Sequence, residues 1–254
     1  MTALLIARNT FREARRDRML VAALWAGGVL LAATQLLSPL ALGEGLKLTI
    51  DVGLSGISFI GLTLILLVGT SMVAKEIDKR TIYNLLARPV ARRSYLVGKW
   101  AGLAATLWVT AIAMGAGLVL LLVVRGHVEH LAPIAQGVYF AGLELSVVTA
   151  IAVMFSAVST PVLSALYTIG LFLAGQWSYD LRAFADKFPP AIAAVCHLTA
   201  SLVPNLPLFN IRTLAASAQL ASFDHVAMAT IYAVVYCSAA LCLATAALET
   251  RDLK

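Results

Sequence analysis

Charge is scarce in this sequence of 254 residues. Only 13% of the residues are charged, whereas 61% are hydrophobic, and the mean hydropathy is +0.89. A soluble domain of this length has no core large enough to bury that much apolar surface. The composition therefore excludes an ordinary soluble protein and indicates that lipid solvates much of the chain.

Cysteine is also rare, and one nucleotide-binding motif is missing. Cys196, Cys237 and Cys242 form an odd set without CxxC spacing, which supports neither a disulfide framework nor a zinc site. We expect Cys237 and Cys242, which lie in an apolar run, to be buried and inert. The spacing of His127 and His130 matches no standard metal-ligand pattern, so no metal or cofactor is expected in this chain. The sequence has no GxxxxGK[ST] phosphate loop, so the chain would not hydrolyse ATP by that route.

Six apolar runs have about the length of a transmembrane helix, which needs roughly 20 mostly apolar residues. The runs do not alternate between apolar and polar residues, and an open strand cannot satisfy its backbone groups in lipid, so all six are predicted to be helical. We expect the first run to be a retained span and not a cleaved signal. The predicted spans are Val21–Leu37, Val52–Ala74, Trp100–Val124, Ile134–Ala157, Thr160–Ser178 and His225–Leu248. The sequence therefore predicts an all-α polytopic membrane protein in which residues 1–254 form one transmembrane domain.

Basic residues are distributed unequally between the two sides that these spans define. Fourteen of the 19 Lys and Arg residues fall in the N-terminal segment, the loop 75–99 and the C-terminal tail, and five fall on the other side. Cytoplasmic loops carry an excess of Lys and Arg. We therefore expect both termini in the cytoplasm, as an even number of spans also requires, and this placement of charge argues against nucleic acid as a partner.

Residues 1–18 have the pattern of an amphipathic helix. Leu4, Ala7, Phe11 and Ala14 fall on one face, with the arginines of the segment largely opposite. Such a helix lies along the inner membrane surface. A disordered basic tail that only sets the topology is the alternative.

The longest outer loop, residues 179–224, contains a second interfacial candidate. Its segment Ala191–Val203 is apolar but too short to span the membrane. Prolines bound the segment on both sides. We expect a re-entrant or outer helix here, between spans five and six.

Glu144 is the one acidic residue deep within a predicted span. An intramembrane carboxylate is a functional candidate by default. It could line a substrate path, relay protons or hydrogen-bond a neighbouring helix, and the sequence leaves both the structural and the transport role open.

The tetrapeptide Gly53-Leu54-Ser55-Gly56 offers a catalytic alternative. This GxSG sequence resembles the nucleophile motif of rhomboid proteases, and His225, which opens the last span, could serve as its base. However, Ser55 falls at the start of span two, whereas rhomboids carry the serine on the fourth helix of their core. Helix packing explains the tetrapeptide better, and a rhomboid-like intramembrane serine protease remains the alternative function.

The loop 75–99 carries the most informative pattern. The segment Asp78–Leu86 is predicted to be helical, and Pro89 ends it. Its apolar side chains among the charges suit either a docking surface for a cytoplasmic partner or packing against the protein's own helix ends.

This loop resembles the cytoplasmic loop of ABC-2-type transporter permeases. That family often shows an acidic residue, a Thr-x-x-x-Leu-Leu stretch, a proline, a basic residue and Gly-Lys before span three. The matching residues here are Glu76, Thr81, Leu85, Leu86, Pro89, Arg92, Gly98 and Lys99. Arg80 departs from the pattern, since family members often have Gly there. The basic N-terminal helix resembles the family's connecting helix, and the layout is most similar to permeases of the copper-processing, nitrous-oxide-reductase-maturation and gliding-motility types.

The resemblance implies a permease of the bacterial inner membrane that forms half of a pore. Two copies would pair as a homodimer, and each would dock a separate ABC ATPase subunit that holds ATP and Mg²⁺. Closure of the ATPase pair would move the coupling helix and drive export, or transmit force to a periplasmic partner; a non-transporting membrane scaffold is the other alternative. The residues implied in this coupling are Asp78, Lys79, Arg80, Ile82, Tyr83, Leu85, Leu86 and Arg88.

Overall fold

The computed structural model describes residues 2–16, 18–41, 43–70, 92–180 and 203–250. These ranges are almost entirely helical and contain no strand. The helices are α1 (Thr2–Arg16), α2 (Arg18–Leu37), α3 (Gly45–Leu64), α4 (Arg92–Val124), α5 (Leu131–Val158), α6 (Pro161–Gln176), α7 (Arg212–Ala216) and α8 (Phe223–Thr250). A π-helical turn, Ile65–Gly69, continues α3, and single 3-10 turns occupy Ser38–Leu40, Val128–His130 and Leu206–Phe209.

In the described part of the chain, five helical stretches are long and apolar enough to cross a membrane. They coincide with the predicted spans one to four and six, which confirms an all-α polytopic membrane protein. Helix α6 is equally apolar but has only 16 residues, fewer than the roughly 20 that a span needs. The count of six spans therefore stays a prediction.

Five of the helices that match predicted spans begin earlier than the apolar runs, and α3 and α4 do so by the most residues. Helix α3 starts at Gly45 and not at Val52, and α4 starts at Arg92 and not at Trp100. The polar residues at these ends extend the helices beyond their apolar length; Lys47, for example, pairs with the Glu44 Oε1 at 2.7 Å. Hydropathy marks the part of a helix that lipid can surround, and it does not mark the helix ends.

Helix α5 forms the centre of the bundle. In its most apolar stretch 78% of the residues are buried, against 17% in α2. Glycines on the neighbouring helices allow close approach: a Cβ at Gly61 of α3 would lie 2.5 Å from Leu145, and one at Gly115 of α4 would lie 2.4 Å from Val138. Small residues are the usual means by which membrane helices pack closely.

Helix α1 packs along the beginning of α4. A Cβ at Gly98 would lie 2.8 Å from the Ala3 backbone oxygen, and one at Gly102 would lie 2.6 Å from that of Ala7. The two glycines are one helical turn apart on one face of α4. They form a shallow seat in which the backbone of α1 rests directly on that of α4.

The helical alternative for residues 2–16 is confirmed. Ala14 is buried, whereas Leu4 is 77% exposed. Thr10, which was not assigned to the predicted apolar face, is only 1% exposed. The exposure of Leu4 at the surface of the bundle agrees with an apolar face that meets lipid, while Ile6 and Thr10 are the side chains of α1 that pack against Gly98 and Gly102.

The two cysteines of α8 differ in their environment. Cys237 is buried, as predicted, whereas Cys242 is exposed, so the prediction was wrong for Cys242. Five helical residues place the two side chains about 140° apart around the axis, so that they cannot share one face. Cys196 lies outside the described residues.

Two ends of the bundle can be distinguished by their contacts. At the basic end, α1 lies on the start of α4, and the Arg92 Nη1 donates a hydrogen bond to the Leu248 carbonyl oxygen of α8. At the distal end, residues 203–222 cover the bundle: the His130 Nδ1 lies 3.0 Å from the Ala215 carbonyl oxygen. The outer segment contains two short helical stretches between α6 and α8, Leu206–Phe209 and Arg212–Ala216. The re-entrant helix predicted at Ala191–Val203 stays a prediction, because residues 191–202 lie outside the described residues.

The glycine seat gives a direct test of how α1 is held. We expect Gly102→Leu to release α1 from α4, because overpacking at such a contact costs about 1–3 kcal/mol and a free helix of this length is marginal. Amide hydrogen exchange in residues 2–16 should become roughly tenfold faster or more. Gly28→Leu is the matched control, since a Cβ at Gly28 meets nothing within 4 Å. Equal exchange in both variants would contradict the seat.

Candidate functional site

The two candidate sites fall differently with respect to the described residues. The predicted coupling segment, Asp78–Leu86 with Arg88, lies outside them. Glu144 lies within them, near the middle of α5. The geometry below therefore concerns Glu144 and its neighbours.

Glu144 is buried in the bundle, with 5% of its surface exposed. Its carboxylate accepts two hydrogen bonds from other helices. The Ser58 hydroxyl of α3 donates to Oε2 at 2.8 Å, and the Gln176 Nε2 at the end of α6 donates to Oε1 at 2.7 Å. The carboxylate therefore joins three helices at a depth where lipid offers no hydrogen-bond donor.

A cation lies on the distal side of this carboxylate. Arg212, the first residue of α7, is close enough to attract Glu144 electrostatically. Glu144, Ser58 and Arg212 line one narrow cavity of about 10 Å³. Phe209 and Ile211 also line it, so the covering segment supplies one wall.

Arg212 also lines a second, wider cavity at the distal end. This cavity has a volume of about 500 Å³. Glu44, Lys47 and Asp51 contribute its other charged groups. Arg212 thus stands between a polar distal cavity and the narrow space beside Glu144.

Ser55 does not meet a base in the described part of the chain. His225 Nε2 lies 3.0 Å from the Leu208 carbonyl oxygen, and its ring lies 5.4 Å from that of Phe140. The flanking glycines serve packing: a Cβ at Gly53 would lie 2.9 Å from Leu118 of α4. The geometry favours the packing interpretation of this tetrapeptide over a catalytic one.

No group of three or more His, Cys, Asp or Glu residues that could hold a metal occurs within the described ranges. His127 and His130 do lie close together, and both approach the Glu129 Oε1, at 3.3 and 3.7 Å. His130 is held by the Ala215 carbonyl oxygen as described above, which accounts for its burial.

Sequence reasoning identified Glu144 but not the groups that bind it. Ser58 is 86 residues and Gln176 is 32 residues away along the chain. Ser58 and Gln176 share one signal in the sequence, because each is a polar residue within an apolar run. This signal does not indicate which polar residues contact each other. Nothing in the sequence singles out Arg212, which is one of the five basic residues on the predicted outer side.

The bundle and its buried polar centre define the class of this protein: a multi-pass, α-helical membrane protein that has a functional candidate in its core. A family model described as ABC-2 family transporter protein matches residues 4–253. The chain therefore belongs to the ABC-2 transporter family, as the resemblance of loop 75–99 predicted, and it is a membrane permease component of an ABC transporter and not the ATPase. A comparison with curated proteins returns no match.

Substitution of Glu144 separates hydrogen bonding from charge. Glu144→Leu leaves the Ser58 hydroxyl and the Gln176 Nε2 without their acceptor, which costs about 1–3 kcal/mol of folding free energy for each buried donor. This variant should therefore unfold at a lower denaturant concentration than the unaltered protein in mixed micelles. Glu144→Gln should cost little, because its amide oxygen can accept from Gln176 and its NH₂ can donate to the Ser58 hydroxyl. Glu44→Leu, at an exposed ion pair, is the control. Equal loss in the Leu and Gln variants at position 144 would contradict this assignment.

The protease alternative has a simple test. We expect Ser55→Ala to leave function in a complementing strain unchanged, because Ser55 contacts no described histidine. Loss of function with normal membrane insertion would restore the alternative.

Proposed function

We propose that this permease couples ATP hydrolysis by a separate ABC ATPase subunit to export, or to mechanical transmission, across the inner membrane. The family membership over residues 4–253 carries the proposal. Loop 75–99 would be the docking element, with Asp78–Leu86 as the coupling helix. ATP and Mg²⁺ would be bound by the partner and not by this chain.

The helix that follows this loop supports the proposal. Helix α4 begins at Arg92, directly after the proposed docking segment, and continues for 33 residues. Its length of about 50 Å at 1.5 Å per residue exceeds the hydrocarbon thickness of roughly 30 Å. A displacement of its first turn would therefore reach the distal end without an intervening joint.

Two contacts at the basic end would make several helices move together. Gly98 and Gly102 hold α1 against α4, and Arg92 binds the Leu248 carbonyl oxygen of α8. A force applied to the loop would thus act on α1, α4 and α8 as a unit.

The helix that precedes the loop has a different character. Helix α3 passes into a π-helical turn, Ile65–Gly69, one residue before the described part ends at Thr70. π-Helical turns are rare and occur frequently at functional sites. We infer that this turn lets α3 adjust its length or direction while α4 moves as a rod.

The remaining features of the proposal follow the family. Two copies would pair as a homodimer, with both termini and the docking loop in the cytoplasm and a periplasmic partner as a further option. Glu144 and Arg212 would be the charged residues that line a substrate path on the distal side. Both line the narrow cavity in the bundle, and Arg212 also lines the distal cavity.

The docking surface can be tested with variants of the loop. We expect Leu85→Asp, and a Lys79→Glu/Arg80→Glu/Arg88→Glu triple variant, to abolish co-purification of an ATPase with the tagged chain from its native membranes. ATP turnover by the purified complex should fall at least tenfold, because a charge placed in an apolar contact, or reversed opposite its partner, disfavours docking.

The control is Arg125→Glu, which reverses an exposed charge on the predicted outer side. It should leave both the complex and its ATP turnover intact. Loop variants that retain the complex and full ATPase activity would overturn the coupling assignment, and the absence of any co-purifying ATPase with the unaltered chain would favour a membrane scaffold.

A further inference from the structure

A groove lies between α4, α5 and α8, apart from the Glu144 site. Its volume is about 620 Å³, which is within the range of roughly 300–1,000 Å³ that is typical of ligand sites. On α8 the lining combines five small side chains with Val234, Leu241 and Thr245; the small ones are Ala233, Cys237, Ser238, Cys242 and Ala246. Residues three to four apart share one face of a helix, so α8 presents a continuous trough. Ser238 and Cys242 are exposed, and the trough therefore opens to the outside of the bundle.

The groove has the length and direction of a lipid chain. On α4 it runs from Arg93 to Trp108, which corresponds to about 22 Å at 1.5 Å per residue. One leaflet of the hydrocarbon core is about 15 Å thick, half of the roughly 30 Å total. Arg93 and Ala246 mark its basic end, and Arg93 lies about 10 Å before Trp100, where the predicted span begins. The groove would therefore begin in the headgroup region and extend about 12 Å, from Trp100 to Trp108, into the hydrocarbon of one leaflet.

The polar atoms in the floor of the groove are already paired with each other. The Trp108 Nε1 donates to the Ser146 Oγ at 3.0 Å, and the Trp100 Nε1 donates to the Ser146 carbonyl oxygen at 3.1 Å. The Cys237 Sγ lies 3.5 Å from the same carbonyl oxygen. What the floor presents to an occupant is therefore the faces of two indole rings and aliphatic side chains, which suit an acyl chain and not a polar solute.

One cation stands at the mouth of the groove. Arg93 lines it and is exposed, and no ion pair of Arg93 is found among the described residues. The neighbouring Arg92 is engaged differently, since it binds the Leu248 carbonyl oxygen. A guanidinium at the end of an apolar groove complements an anionic headgroup attached to a hydrocarbon chain.

We propose that this groove binds one anionic phospholipid of the membrane leaflet at the basic end, with its headgroup on Arg93 and an acyl chain along Trp100 and Trp108. The site is separate from the proposed docking loop and from Glu144. It would hold even if the chain were a scaffold.

The two tryptophans in the groove provide the readout. Trp25 and Trp177, the two other tryptophans of the chain, are 73% and 64% exposed. In a Trp25→Phe/Trp177→Phe background, the remaining fluorescence comes from Trp100 and Trp108. The full chain is reconstituted in phosphatidylcholine vesicles with increasing phosphatidylglycerol, and bromine atoms are placed in the acyl chains of one lipid or the other. We expect brominated phosphatidylglycerol to quench this fluorescence with about fivefold preference over brominated phosphatidylcholine. One basic residue, here Arg93, contributes about 1 kcal/mol to the binding of an anionic lipid, which corresponds to this factor.

Three variants decide the proposal. Arg93→Gln should abolish the preference while quenching by both lipids remains, and Ser238→Phe, which fills the trough, should reduce quenching by both. Ala239→Phe is the matched control, because Ala239 is the next residue of α8, is exposed and does not line the groove.

Equal quenching by the two lipids, unchanged by Arg93→Gln and Ser238→Phe, would overturn the site. Quenching by neither lipid, with a change of oligomeric state in Ser238→Phe, would show instead that a second copy of the chain covers the groove.

Discussion

Every polar atom that this bundle buries must find its partner within the protein, because hydrocarbon supplies neither donors nor acceptors. Among the described residues the requirement is met almost completely. The Gln35 Oε1 is the one buried side-chain oxygen or nitrogen there without a hydrogen bond. Most of the hydroxyls return to their own helix, as Thr149 does to the Leu145 carbonyl oxygen. The few polar groups that bond between helices are therefore the ones that fix how the helices are arranged.

Several such groups lie on the central helix. Tyr139 meets Thr230 of α8, and the Ser156 hydroxyl donates to the Thr70 carbonyl oxygen at the end of the α3 stretch. Near the middle of the helix, Glu144 and Ser146 hold opposite sides of the bundle. Glu144 binds α3 and α6 through Ser58 and Gln176, whereas Ser146 binds α4 and α8 through its hydroxyl and its carbonyl oxygen. Two helical residues turn through about 200°, so the two groups point to opposite faces of α5. Helix α5 is thus a hub with one half of the bundle fastened to each face.

Hydropathy predicted the architecture because the bilayer imposes a length on every span, and that length can be counted along a sequence. The same reasoning singled out Glu144, since a carboxylate within an apolar run is conspicuous. It could not pair Glu144 with Ser58 or Gln176, because a single polar residue on each of several helices carries no information about which helices are neighbours. It also missed the early start of α4 at Arg92. The first turns of α4 carry Arg92, Arg93 and Lys99, which lower the hydropathy there. Tyr95 and Leu96 of the same turns are nevertheless buried in an apolar cluster.

The two halves differ in how firmly they are fastened to the hub. At Ser146, two of the bonds go to a backbone oxygen, which cannot change its direction without distorting α5, and both indole rings are packed in place. At Glu144, both bonds join side chains, each of which can rotate to another partner, and Arg212 stands nearby. Loop 75–99 connects α3 of the first half to α4 of the second. A displacement of this loop would therefore be resisted where α4 and α8 meet Ser146 and where the Ser156 hydroxyl donates to the Thr70 carbonyl oxygen. It would be accommodated where α3 and α6 meet Glu144. Under the proposed function, the carboxylate would be an exchangeable contact between two halves that move, and this would unite the structural and transport roles that the sequence left as alternatives.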